Sequence, residues 1–222
     1  STHALRGIDL EVPWGEVLTV LGPNGSGKTT LVTILATLTK PDAGTARVAG
    51  IDLARRGQQA RRAIGVVTHD PLLYDGLTGY ENLKFFGRMF GLSDLDPRIA
   101  TVAERMGIST RLHHRIGTLS HGMKKRFSIA RALLHQPAVL LMDEPESGLD
   151  QEALAMLDRV VLDHSARGGA VVMTTHNLER AMAVGHRMAI LAGGRIAYQE
   201  SLVAAETQAV KDAYFRYTGA AR

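Results

Sequence analysis

Eight consecutive residues, GPNGSGKT at 22–29, have the types and spacing that hold a polyphosphate. In the pattern G-x-x-x-x-G-K-[ST], glycines let backbone N–H groups turn toward a phosphate without side-chain clash. A helix that starts just behind them adds its positive end. Pro23, Asn24, Gly25, Ser26, Gly27, Lys28, Thr29 and Thr30 are therefore the candidate phosphate-binding residues. Lys28 supplies a point charge to β- and γ-phosphates, and the Thr29 hydroxyl is a ligand for Mg²⁺. The competing reading is a plain glycine-rich hairpin.

A second chemical group closes the apolar run AVLLMDEP at 138–145. A buried strand has no structural need of two acids at its end. Asp143 can hold Mg²⁺, directly or through water, and Glu144 can polarise an attacking water. The alternative is that both acids solvate a loop. At 119–123, LSHGM leads into KKRFSIARALLHQP. Ser120 fits an N-cap, followed by His121, and Gly122 leaves backbone N–H groups uncovered. This is a second helix start able to take an anion, although a plain helix cap explains the same letters. His176 ends the apolar stretch VVMTTHN at 171–177, where a lone histidine is ordinarily structural.

These groups need elements to hold them. Residues 4–12 alternate apolar and polar, which predicts a half-buried antiparallel strand. A short apolar run at 16–21, the glycine loop and a helical stretch at 29–38 form the start of a βα unit. A turn at 40–44 leads to predicted strands at 45–48 and 64–67. Over 79–134 the strand-like runs vanish, and Leu83, Phe86, Met89 and Phe90, then Ile99, Val102 and Met106, recur at helical spacing. Strands resume at 139–142, 171–174 and 188–191, and a last helix is predicted over 202–217. The fold class is α/β, a buried parallel sheet interrupted by a helical insertion. Residues 1–78 and 135–222 form the core, and 79–134 the inserted lobe of one domain.

Composition narrows the classes. At 222 residues with 45% hydrophobic and 22% charged, the chain is that of a globular domain. No apolar run approaches the ~18 residues of a membrane span, so any membrane role is by docking. With no cysteine, disulfide and thiolate chemistry are excluded. Ser1 is not followed by a basic and apolar leader, so no signal peptide is expected. The net charge of +4 is scattered, with short basic clusters at Arg55 and Arg56, Arg61 and Arg62, and residues 124–126. A nucleic-acid stripe would be denser, and no nucleic-acid partner is expected.

Over nearly its whole length the chain resembles the nucleotide-binding domain of ABC transporters. GPNGSGKT matches the Walker A motif, LSHGM the LSGGQ signature, VLLMDEP the Walker B motif and SGLD at 147–150 the D-loop; His176 stands as the switch histidine. The five motifs come in family order. The resemblance implies a P-loop NTPase (RecA-like) fold with a parallel core, an antiparallel β edge and an inserted α-helical subdomain. It implies ATP and Mg²⁺, with Glu144 and His176 catalytic and Asp143 and Thr29 at the metal. It further implies a head-to-tail pair with a second ATP-binding subunit, a homodimer by expectation. Each ATP would lie between the Walker A residues of one copy and Ser120, His121 and Gly122 of the other. Asp150 would organise that interface. A polytopic membrane subunit would be the partner, at the cytoplasmic face of the cell membrane.

Two departures stand out. The family usually has a glutamine at the junction of core and lobe, contacting Mg²⁺ and water, where IGVVTHDP puts His69. Neutral imidazole also offers one acceptor and one donor, which makes His69 a third metal candidate. The family's adenine-stacking aromatic comes just ahead of the opening strand. His3 is a poor substitute, and we expect a strand with its aromatic to precede Ser1. Residues 68–83 with 120–137 resemble the ATPases of haem exporters in cytochrome c maturation. ABC-2 type drug, polysaccharide and lipid exporters share most of that signal. A soluble ABC ATPase of repair or translation would bring a coiled-coil insertion or a tandem cassette, and a P-loop kinase would not need LSHGM or SGLD.

Overall fold

The computed structural model describes residues 3–203 and 205–219. Strand β1 (Val17–Leu21) runs through a tight loop into α1 (Lys28–Leu35). A small antiparallel hairpin, β2 (Arg47–Val48) and β3 (Ile51–Asp52), precedes α2 (Leu53–Arg61) and β4 (Ile64–Val67). Three helices follow: α3 (Gly79–Met89), α4 (Leu95–Arg105) and α5 (His121–Leu133). The chain then alternates through β5 (Val139–Asp143), α6 (Gln151–Ala166), β6 (Ala170–Thr175), α7 (Leu178–Val184), β7 (Arg187–Ala192), β8 (Arg195–Ser201) and α8 (Thr207–Thr218).

The main sheet has the order β4-β5-β6-β1-β7-β8. All neighbours are parallel except β7 and β8, which form an antiparallel hairpin at one edge. Every residue of β1, β5 and β6 is buried, as strands covered on both faces must be. These are the continuous apolar runs of the sequence. The βα order places the ends of β1, β5 and β6 side by side, and ligands of open parallel sheets bind at such carboxyl ends.

The helical stretch packs on the sheet through one continuous core. Leu83, Ile99, Val102, Met106 and Phe127 join Met142, Leu157 and Met173 in the same cluster. Helix α5 is the seam. Its Lys125, Arg131 and His135 (just past its end) contact the carbonyl oxygens of Thr68, Val66 and Ile64 at 3.2, 2.8 and 2.9 Å. These alternate carbonyls point away from β5, so helix side chains satisfy the outer edge of β4, which has no strand beside it among the described residues. Helix α3 starts on a capping box in which Thr78 and Glu81 bond each other's backbone. Among the described residues no helix is long and apolar enough to cross a membrane.

Three sequence expectations need correction. Residues 4–12 form no strand, although their alternation is real: Leu5, Ile8, Leu10 and Val12 are half-buried on the core while Asp9 and Glu11 are exposed. Alternation requires only a face to bury, whereas a strand also requires a neighbouring backbone. Here the contacts are isolated, such as Arg6 N–H to the Gly194 carbonyl at 2.7 Å. A cleft of about 1080 Å³ separates this segment from the β2–β3 hairpin. The last helix begins at Thr207, and Val203 is exposed rather than part of its apolar stripe. On α3, Leu83 enters the core but Met89 faces outward.

Candidate active site

The loop between β1 and α1 is shaped by what it must clear. A Cβ on Gly22 would lie 2.3 Å from the Leu191 carbonyl oxygen, so only glycine lets the loop pass β7. Gly27, at the N-cap of α1, offers no side-chain cap, so the first-turn N–H groups of α1 are open to an anion. The Ser26 hydroxyl is buried without a hydrogen-bond partner. Lys28, itself buried, donates to the carbonyls of Gly22 at 2.8 Å and Pro23 at 3.2 Å, which curls its ammonium over the loop.

The carboxylates meet this loop. Asp143, at the end of β5, accepts from the Thr29 hydroxyl at 2.8 Å and from the Thr174 hydroxyl at 2.6 Å. Glu144 takes a left-handed backbone conformation, with φ of 43°, a strained choice for a non-glycine residue. Thr174 holds that conformation: its hydroxyl accepts from the Glu144 N–H at 3.1 Å. The Glu144 carboxylate then lies 3.7 Å from Lys28 Nζ and 3.4 Å from His176 Nδ1. His176 follows Thr175, whose hydroxyl donates to Glu146 and accepts from the Asn177 N–H at 3.0 Å.

A cleft of about 500 Å³ opens here, lined by Asn24, Gly25, Gly27, Lys28, Thr29, Thr30, His69, Asp143 and Glu144, with Ala4 at its rim. His69 is exposed and borders it, so the junction residue and the phosphate loop face one space. Ser120, His121 and Gly122 do not line this cleft. Ser120 caps α5, accepting from the Met123 N–H at 3.3 Å. The His121 ring lies on Gly148, where an added Cβ would come within 2.5 Å of it; with φ of 75°, Gly148 gives both the turn and the room. Arg126 reaches Asp150 at 3.3 Å, and Asp150 caps α6. The segments 119–123 and 147–150 therefore brace each other, away from the Lys28 cleft.

Sequence reasoning passed over three residues. Thr174 carried a signal, because it directly precedes Thr175 and His176 at a strand end. Glu146 and Lys125 carried none that spacing alone could show.

A family model for ABC transporters matches residues 5–147. The chain belongs to the ABC transporter family. Across 191 residues it is 39% identical to the Nod factor export ATP-binding protein I of Paraburkholderia xenovorans (strain LB400), covering 85% of this chain and 63% of that protein. Across 195 residues it is 40% identical to the doxorubicin resistance ATP-binding protein DrrA of Mycobacterium tuberculosis (strain ATCC 25618 / H37Rv), with 87% and 59% covered. The chain thus spans about three fifths of the length of these relatives. A solved dimeric ATP-binding cassette, in a post-hydrolysis state bound to ADP and Pi, superposes with a TM-score of 0.81 at 28% identity. That match covers 91% of this chain and 92% of the other. The P-loop NTPase architecture expected from the sequence is the one the chain has.

Proposed function

We propose that this chain binds and hydrolyses ATP as the motor subunit of an ABC exporter, two copies enclosing the nucleotides between them. The observation that carries this reading is a divided site. Lys28, Thr29, Asp143 and Glu144 converge on one cleft, with His176 beside Glu144, while Ser120, His121 and Gly122 open helix α5 elsewhere. A second copy would complete each cleft with those three residues. The solved dimeric cassette with ADP and Pi supports such a pairing.

In hydrolysis the water oxygen bonds to the γ-phosphorus as the bond from that phosphorus to the bridging oxygen breaks, leaving ADP and Pi. Lys28 and the open N–H groups of α1 hold the phosphates, and Pro23, Asn24, Gly25, Ser26, Gly27 and Thr30 shape their seat. Glu144 polarises the water, and His176, 3.4 Å from the Glu144 carboxylate, orients water and γ-phosphate. The donor set suits Mg²⁺: a hydroxyl and a carboxylate, 2.8 Å apart in Thr29 and Asp143. Among the described residues no group of three histidine or acidic side chains could hold a metal alone, so phosphate and water oxygens would complete the shell. Bound there, the ion would neutralise phosphate charge, and His69 would approach it or its water from the junction.

The chain would dock on a polytopic membrane subunit at the cytoplasmic face of the cell membrane. The relatives named for Nod factor export and doxorubicin resistance favour an ABC-2 type drug, polysaccharide or lipid exporter. The haem-exporter resemblance, carried by His69 and LSHGM, gains no support from those names.

Glu144→Gln tests the assignment. With Mg-ATP it should bind nucleotide, lose turnover by about a hundredfold or more and elute as a dimer on gel filtration. Lys28→Ala should instead lose nucleotide binding. Turnover at the wild-type rate in Glu144→Gln would contradict the proposal.

A further inference from the structure

Lys125 is a buried cation on the helix that begins at the signature, with 1% of its surface exposed. A lysine is almost never buried this completely unless something compensates its charge. Its ammonium donates to the carbonyl oxygen of Thr68, the residue just before His69, at 3.2 Å. No carboxylate lies in ion-pair contact with it among the described residues; the charge of Glu146 favours its ammonium most, followed by those of Asp143 and Glu144. Burial pushes the Lys125 ammonium below its ordinary pKa, and these carboxylates oppose that shift. Glu146 is tied in turn to Thr175, and its second carboxylate oxygen is buried without a hydrogen-bond partner.

We infer that Lys125, with Glu146, is a positioning pair for the hydrolytic centre. Lys125 fixes the junction loop at Thr68 on one side. On the other it balances Glu146, which grips Thr175 and so the backbone carrying His176. The pair lets the orientation of α5 be felt at His69 and His176 within one chain, since Lys125 lies less than one turn beyond Gly122 on the same helix. Neither residue touches the reacting atoms. This inference rests on the ATPase reading above.

Replacing one member of a buried charge set leaves the other uncompensated, while replacing both removes the imbalance. Steady-state ATPase kinetics of Lys125→Met, Lys125→Arg, Glu146→Gln and the Lys125→Met/Glu146→Gln double variant test the pair, with thermal unfolding measured alongside. Lys125→Met is expected to lower kcat about tenfold or more while KM for ATP stays within about twofold, because the phosphate loop is untouched. Lys125→Arg should hold kcat within about threefold of wild type. The double variant should turn over faster than Lys125→Met alone. A merely structural lysine would lower the unfolding temperature and reduce activity only in proportion to the folded fraction. That result, an unchanged kcat in Lys125→Met, or strictly additive single effects would each overturn the inference. Normal wild-type turnover with an indifferent Lys125→Met sinks this inference alone. Absence of ATPase activity in the wild type sinks it together with the reading on which it rests.

Discussion

His135 reports on the seam between the helices and the sheet. Its ring stacks on Phe90 with centroids 3.9 Å apart and 4° between planes, and its Nε2 meets the Ile64 carbonyl at 2.9 Å. A carbonyl only accepts, so Nε2 carries the proton. Burial holds the His135 pKa down at about 4; the bond to Ile64 opposes that shift and nearby Arg131 adds to it. The unfolded chain takes up this proton near pH 6.5, whereas the folded chain resists until about 4. Stability from this residue is therefore present above pH 6.5 and lost as pH falls toward 4, by up to about 3 kcal/mol. His135→Gln keeps a donor for Ile64 without a titrating group. Its unfolding temperature should fall less steeply than that of wild type between pH 7 and pH 4.5, and parallel profiles would contradict the assignment. At this scale the sequence was informative where chemistry is local. Residues 22–29 and the acids at 143 and 144 are neighbours in the chain, and a pattern can hold them. Lys125 meets Thr68 across 57 positions, and on a helix its spacing looks like that of any solvated cation.

Among elements, the fully buried strands were the legible ones. Apolar runs such as 139–142 have no other stable use beside a glycine loop and its helix. Strand β8 was missed because its burial alternates and its residues are mostly polar, although Gly193 and Gly194, both at positive φ, mark the hairpin turn before it. The opening segment misled for the opposite reason, having the side-chain period without a backbone partner. The face for a membrane subunit belongs to this scale. Tyr74, Phe85 and Phe86 form an aromatic cluster at the junction, with Tyr74–Phe85 centroids 5.2 Å apart, and Tyr74 is 53% exposed. This exposed aromatic group, beside exposed Leu72 and Met89, is the face we propose for the membrane subunit. Leu73, between Leu72 and Tyr74, is unsuited to a test because it packs against the core. Tyr74→Glu should abolish copurification with the membrane subunit while basal ATPase stays near the wild-type rate. Retained copurification would remove the patch as the docking face.

At the scale of the whole molecule, the two halves of the proposed site do not meet within one chain. No pattern in one sequence states that its signature serves another copy. That expectation came from resemblance, and the geometry supports it by keeping Ser120, His121 and Gly122 out of the cleft that Lys28, Asp143 and Glu144 share. The division of the site is the central claim, and subunit mixing tests it most directly. A Lys28→Ala chain lacks a working phosphate loop, and a Ser120→Arg chain lacks a working signature, so each alone should be inactive. In an equal mixture, half the dimers pair one of each and rebuild one of two interfaces, so about a quarter of wild-type ATPase activity should return. Activity no higher than the sum of the two separate variants would contradict the account.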